Sequence, residues 1–230
     1  MAQLFHHSID PQSRFIRLVL NEMDVATDLI EERPWERREA FLHLNPAGVL
    51  PVLVDATGLA IPGAALICEY LDETYGDALG EQRLLPRDPR ARVETRRLIE
   101  WFGIKFHAEV GEYLITEKIL KRFVPVGEGG SSPDTVAIRA AKSNVRYHLR
   151  YVGYLARRRN WLAGDRLSYA DFIAAAHLSV IDYLGDVPWE EDSAAKEWYA
   201  RLKSRPSFRP LLAETMRGTP PSASYADLDF

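Results

Sequence analysis

Residues 45–70 constrain the fold of this chain more than any other stretch. Val52-Leu53-Val54 reads as a short strand, Asp55-Ala56-Thr57-Gly58 as a hairpin turn, and Leu59-Ala60-Ile61 as the returning strand. Residues 64–75 then read as a helix, with the body Ala65-Leu66-Ile67-Cys68-Glu69-Tyr70-Leu71. Upstream, residues 41–45 make a short helical turn that ends before Pro46, because the residue preceding a proline avoids the α region.

The segments before this unit complete a domain. Residues 2–7 are strand-like and end at the turn Ser8-Ile9-Asp10-Pro11. Asp10 can cap the helix that follows and Pro11 suits its first turn. Phe15, Ile16, Val19 and Leu20 recur there at helical spacing. Residues 27–30 read as a second strand, and residues 31–39 as a charged segment holding Trp35. The resulting order, β-α-β-α-β-β-α over residues 1–78, is an α/β domain of ordinary size.

Residues 79–89 form a linker punctuated by Gly80, Pro86 and Pro89. Residues 90–217 read as all-α. Residues 90–122 make one long helix or two in line, and residues 123–134 a Gly/Ser/Pro-rich loop. Residues 136–159 make a helix with Ile138, Ala141, Val145, Leu149, Val152 and Leu155 on one face. Ser168-Tyr169-Ala170-Asp171 can cap the nearly all-apolar helix of residues 172–184, the expected spine of this domain. Residues 198–208 give the next helix and its stop, and residues 218–230 an extended polar tail.

Composition narrows the function classes. With 230 residues and 47% hydrophobic content the chain can bury one substantial core or two small ones. A net charge of -4 gives no electrostatic reason to expect nucleic acid. No apolar run approaches the roughly 20 residues of a bilayer span, so direct membrane insertion is not expected. Residues 1–7 lack the basic and apolar regions of a signal peptide. The single cysteine, Cys68, rules out an internal disulfide and fits a reducing compartment. A cytoplasmic protein is expected.

Asn45-Pro46-Ala47-Gly48-Val49-Leu50-Pro51-Val52-Leu53 resembles the N-P-x-G-x-V/L-P-x-L segment of the glutathione transferase family. Ser168 to Asp171 and the block at residues 198–208 resemble that family's C-terminal helical domain, so the resemblance covers residues 3–212. It implies a thioredoxin-like α/β domain followed by an all-α domain, a cis Leu50-Pro51 bond, and a homodimer. In the family an acidic residue and a serine at the start of the third helix hold the γ-glutamyl group of glutathione. The spacing places Pro62 and Gly63 there, and neither side chain can make such a contact. At about 1.5–3 kcal/mol for each hydrogen bond to a charged group, losing two weakens a modest ligand severely.

The family's thiolate partner sits at the start of the first helix. Here that position falls near Asp10 or Pro11. A carboxylate would repel a thiolate and occupy the helix N-terminus that should attract it. Ser8 and Ser13 are the nearby hydroxyls for the role, and both also read as turn or cap residues. No cysteine lies in this region, and Cys68 reads as a small buried hydrophobe. No catalytic residue, cofactor or metal ligand is therefore assigned, and the degenerate site comprises Ser8, Asp10, Ser13, Leu50, Pro51, Pro62 and Gly63.

A fold kept without its site points to surfaces. The candidates are Trp35, a basic row of Arg139, Lys142, Arg146 and Arg150 (continued by Arg157) on one side of a helix, and the tail. In the tail, Tyr225, Asp227, Leu228, Asp229 and Phe230 alternate acidic and large apolar residues. That pattern suits an apolar groove with basic rims, the alternative being a frayed terminus. Taken whole, the chain resembles the cell-division members of the family. That resemblance implies a non-enzymatic protein at the division site, with FtsZ filaments as main partner and septal wall-synthesis proteins reached through the tail. Two other readings stay open: a divergent glutathione S-transferase or glutathione-dependent isomerase using Ser8 or Ser13, and an accessory subunit for some other protein.

Overall fold

The computed structural model describes residues 1–123, 131–216 and 218–228, so Asp229 and Phe230 lie outside the described residues. The first half contains β1 (Ala2–His6), α1 (Pro11–Glu22), β2 (Thr27–Glu31), α2 (Glu39–Leu44), β3 (Val52–Val54), β4 (Ala60–Pro62) and α3 (Ala64–Tyr75). The sheet order is β2-β1-β3-β4, with β1 parallel to β2 and the other neighbours antiparallel. Register places Leu4 opposite Leu53, and Leu53 opposite Ile61. These three form a buried apolar row, in one core with Phe15 of α1 and Ile67 and Leu71 of α3. The other sheet face is covered by α2, where Phe41 meets Phe5 at a ring-centroid distance of 6.0 Å. The Leu50-Pro51 peptide is cis, as the resemblance implied.

The second half is helical. α4 (Pro89–Glu100) starts on Asp88, whose carboxylate accepts from the Ala91 N–H at 2.8 Å. It runs in line through a π-helical stretch, Trp101–Gly111, into α5 (Glu112–Lys118). α6 (Thr135–Ala156), α7 (Tyr169–Tyr183), α8 (Ser193–Lys203) and α9 (Arg209–Leu212) follow. Every residue of α7 is buried, which makes it the expected spine. Its start is the expected capping box. Asp171 Oδ2 accepts from the Ser168 N–H and hydroxyl, both at 3.0 Å, and Oδ1 from Leu162 N–H and Trp198 Nε1–H. Because α1 packs along α7, one apolar core runs through both halves, with the Phe15 and Tyr169 rings 6.2 Å apart across the junction.

The end of the chain departs from the expected extended tail. The Tyr183 hydroxyl donates to Thr219 O at 2.6 Å, and Tyr183 O accepts from Ser222 N–H at 2.8 Å. Tyr225 is fully buried: its hydroxyl donates to Leu211 O and accepts from Arg14, each at 3.1 Å. Arg14, itself buried in the first turn of α1, is also held by Ser179 Oγ and Ser8 O. A buried guanidinium needs this many acceptors, and the aromatic tail residue supplies one of them.

Candidate functional site

The three segments that the sequence nominated are adjacent in space. The first is the start of α1. Asp10 is its cap: Oδ2 accepts from the Ser13 N–H at 2.7 Å and the Ser13 hydroxyl at 2.6 Å. Burial pushes the Asp10 carboxyl above its ordinary range, and the Ser13 bonds oppose that rise. Ser13 is wholly buried and its only proton is given to Asp10, so its hydroxyl does not stand ready to serve an incoming thiolate. Ser8 is half-buried and contributes its carbonyl to Arg14 at 2.7 Å.

The second segment is the Val49-Leu50-Pro51 loop. The third is the start of α3, tied to the loop by Gly63 N–H donating to Pro51 O at 2.8 Å. Pro62 is the last residue of β4, opposite Val52, and the helix begins at Ala64. Gly63 is the cap of that helix, and neither Pro62 and Gly63 nor the Ala64 that follows offers a carboxylate or hydroxyl. Gly63 has φ +86, a conformation L side chains rarely adopt, although a Cβ there would meet nothing within 4 Å.

Two cavities flank these segments. One, of about 520 Å³, lies beside the α3 start and is lined among others by Gln12, Gly63, Leu66, Arg96 and Ile104. The other, of about 300 Å³, opens between the halves at the α1 start. Asp10, Trp35 and Leu50 line it from the first half, with His107, Glu112 and Ile115 from the second. Sequence reasoning missed His107 and Glu112, since both lie in what read only as a long helix. One signal was present: Gly111 stands one turn after His107, and a Cβ on it would come within 2.8 Å of the His107 ring.

The surface candidates fare unequally. Trp35 is 51% exposed and meets His7 edge-on, with ring centroids 5.1 Å apart. The basic row is largely neutralised within the chain. Lys142 pairs with Asp186 at 2.7 Å, Arg146 with Glu191 at 2.6 Å, and Arg157 with Asp192 at 2.8 Å. Arg139 reaches back to Thr135 O at 3.3 Å, and Arg150 is exposed. The row is therefore no uniform field for an acidic partner. In the tail, Tyr225 faces the core and the Asp227 carbonyl accepts from Lys203 at 2.6 Å. Leu228 is exposed.

Against this geometry the comparisons with known proteins are clear. The glutathione S-transferase N-terminal domain matches residues 11–74 and the glutathione S-transferase C-terminal domain residues 115–206. FtsZ-localized protein A of Caulobacter vibrioides is 47% identical over 230 residues, spanning 99% of this chain and 97% of that protein. A glutathione S-transferase structure from Sinorhizobium meliloti superposes with a TM-score of 0.96 at 53% identity, covering 100% of both chains. The structure of FzlA from C. crescentus gives 0.92 at 46% identity, covering 100% of this chain and 99% of that one. With both domains matched in order and relatives aligned from end to end, this chain belongs to the glutathione S-transferase family.

Proposed function

We propose that this protein is a non-enzymatic cell-division member of the family, a homodimer that binds FtsZ filaments at the division site in the cytoplasm. The observation that carries the reading is the alignment with FtsZ-localized protein A over nearly the whole of both chains. The site geometry supports it. The start of α1 holds a carboxylate where a thiolate would need a donor, and the start of α3 holds no polar side chain. Trp35 is the exposed anchor for a protein partner. The exposed tail residue Leu228, with Asp229 and Phe230 beyond it, is the segment proposed to reach septal wall-synthesis proteins. The test is co-sedimentation with assembled FtsZ. We expect the protein to pellet with polymer in a saturable way and Trp35→Ala to reduce it. Pelleting no greater than that of an unrelated control protein contradicts the proposal.

A second reading, a divergent glutathione S-transferase or isomerase, is favoured by the name given to the Sinorhizobium meliloti relative. In that case Ser8 is the thiolate donor, because Ser13 is engaged with Asp10. Conjugation of an electrophile that is abolished by Ser8→Ala would support it.

A further inference from the structure

The acidic and apolar pattern of the tail suits a groove with apolar walls and basic rims, and the protein itself supplies such a site. Its wall is Tyr183 of α7, whose ring meets the Tyr225 ring edge-on at a centroid distance of 5.0 Å. Its basic rims are Arg14 of α1 and Lys203 at the end of α8, both wholly buried. Asp182 is buried beside them, with Oδ2 3.8 Å from Lys203 Nζ, and offsets one of the two charges. The site therefore favours an acidic segment.

Most of what the body grips is tail backbone. Lys203 Nζ donates to Asp227 O at 2.6 Å and the Tyr183 hydroxyl to Thr219 O at 2.6 Å. Ser222 N–H donates to Tyr183 O at 2.8 Å, and the Ser222 hydroxyl to Asp182 O at 2.8 Å. Among the described residues from 218 onward, Thr219 and Tyr225 alone are buried, whereas α7 is buried along its whole length. A segment held by one large buried ring and a few hydrogen bonds opens at lower free energy than the core beneath it.

We propose that residues 219–227 are a tethered ligand of this site, a strap that leaves it without unfolding the body. Docked, the strap conceals the Tyr225 ring and offers Leu228. Released, it offers both on one segment. A partner that reads Tyr225 must compete with Arg14 and Lys203, which meet the strap at the high effective concentration of a short tether. A partner that reads only from Leu228 onward does not. The inference deepens the reading of the tail as a partner motif and rests on it, but the docking equilibrium exists without any partner.

Hydrogen exchange on the full-length protein alone tests it. The docked strap protects the amides of Ser222, Tyr225 and Asp227, which donate to Tyr183 O, Ser222 O and Ser224 O. They are expected to exchange at least about tenfold more slowly than unstructured amides and at least about a hundredfold faster than those of α7. Low urea should accelerate α7 exchange and leave strap exchange nearly unchanged, because opening the strap exposes little surface. Tyr225→Phe removes the bond from Arg14 and should speed strap exchange about tenfold. Strap and α7 amides exchanging together, with one urea dependence, would make the tail a fixed part of the core and overturn the proposal. So would unprotected strap amides in the parent, or strap exchange unaltered by Tyr225→Phe. Filament binding is absent from this experiment, and co-sedimentation tests it separately.

Discussion

Two helix starts in this protein use the same pair of side chains in reverse. At α7 a serine is the cap and an aspartate stands three residues on; at α1 an aspartate is the cap and a serine stands three residues on. The α7 pair is sealed. Asp171 is wholly buried and its two oxygens accept four hydrogen bonds, from Ser168, Leu162 and Trp198. At α1 a single oxygen of Asp10 takes both Ser13 bonds, and the carboxyl lines a cavity open between the two halves. The first arrangement fixes the spine of the helical half. The second fills a helix N-terminus with the protein's own anion.

The comparison breaks most easily at α7. Asp171→Ala strands three buried backbone or indole donors and the Ser168 hydroxyl. It should cost about 3 kcal/mol or more in urea unfolding. A loss no larger than that of Asp10→Ala would make the two caps equivalent. The start of α1 is also braced from the tail. Tyr225→Phe removes the hydroxyl between Arg14 and Leu211 O and should cost about 1–2 kcal/mol in the same assay. No change would mean that the tail is free.

Next in size is a pH effect on the α7 side. Burial lowers the His177 pKa well below 6.5, and neither ring nitrogen has a hydrogen-bond partner among the described residues. Below 6.5 the unfolded chain binds a proton that folded His177 refuses, so this residue destabilises the fold progressively as pH falls. Asp171 and Asp182, whose pKa values burial raises, work in the opposite direction. The informative readout is therefore a difference. His177→Phe should reduce the stability lost between about pH 7.5 and 5.5 by about 1 kcal/mol relative to the parent. An unchanged pH profile would contradict burial of a neutral His177.

Asp10→Ala should cost about 1 kcal/mol, the ordinary value of a lost helix cap, because the half-buried carboxyl lines a cavity that water can enter. The smallest effect belongs to the α6 row. Arg146→Ala should change stability by less than about 0.5 kcal/mol, since its ion pair with Glu191 is open to solvent.

What the sequence showed and what it hid follow from distance along the chain. Both caps, the hairpin turn at residues 55–58 and the apolar spine rest on contacts within a few residues, and their spacing announced them. The pairing of Arg146 with Glu191 spans 45 positions and turned a basic row into a paired one. Arg14 meets Tyr225 across 211 positions, and no local pattern distinguishes a docked tyrosine from one offered to a partner. The cavity is the same case. Its first-half wall was nominated from residues 8–13 and 50–51, while Glu112 and His107 arrive from a helix whose period carried only a core signal. At the start of α3 the spacing was again local, and the helix expected over residues 64–75 begins at Ala64.

The account turns on whether a family fold with Asp10 at one helix start and Gly63-Ala64 at the other still holds glutathione. Calorimetric titration of the purified protein with reduced glutathione decides it. We expect no saturable heat up to several millimolar. A Kd below about 1 mM, near -4 kcal/mol, would contradict the account and return the protein to the enzymes of its family.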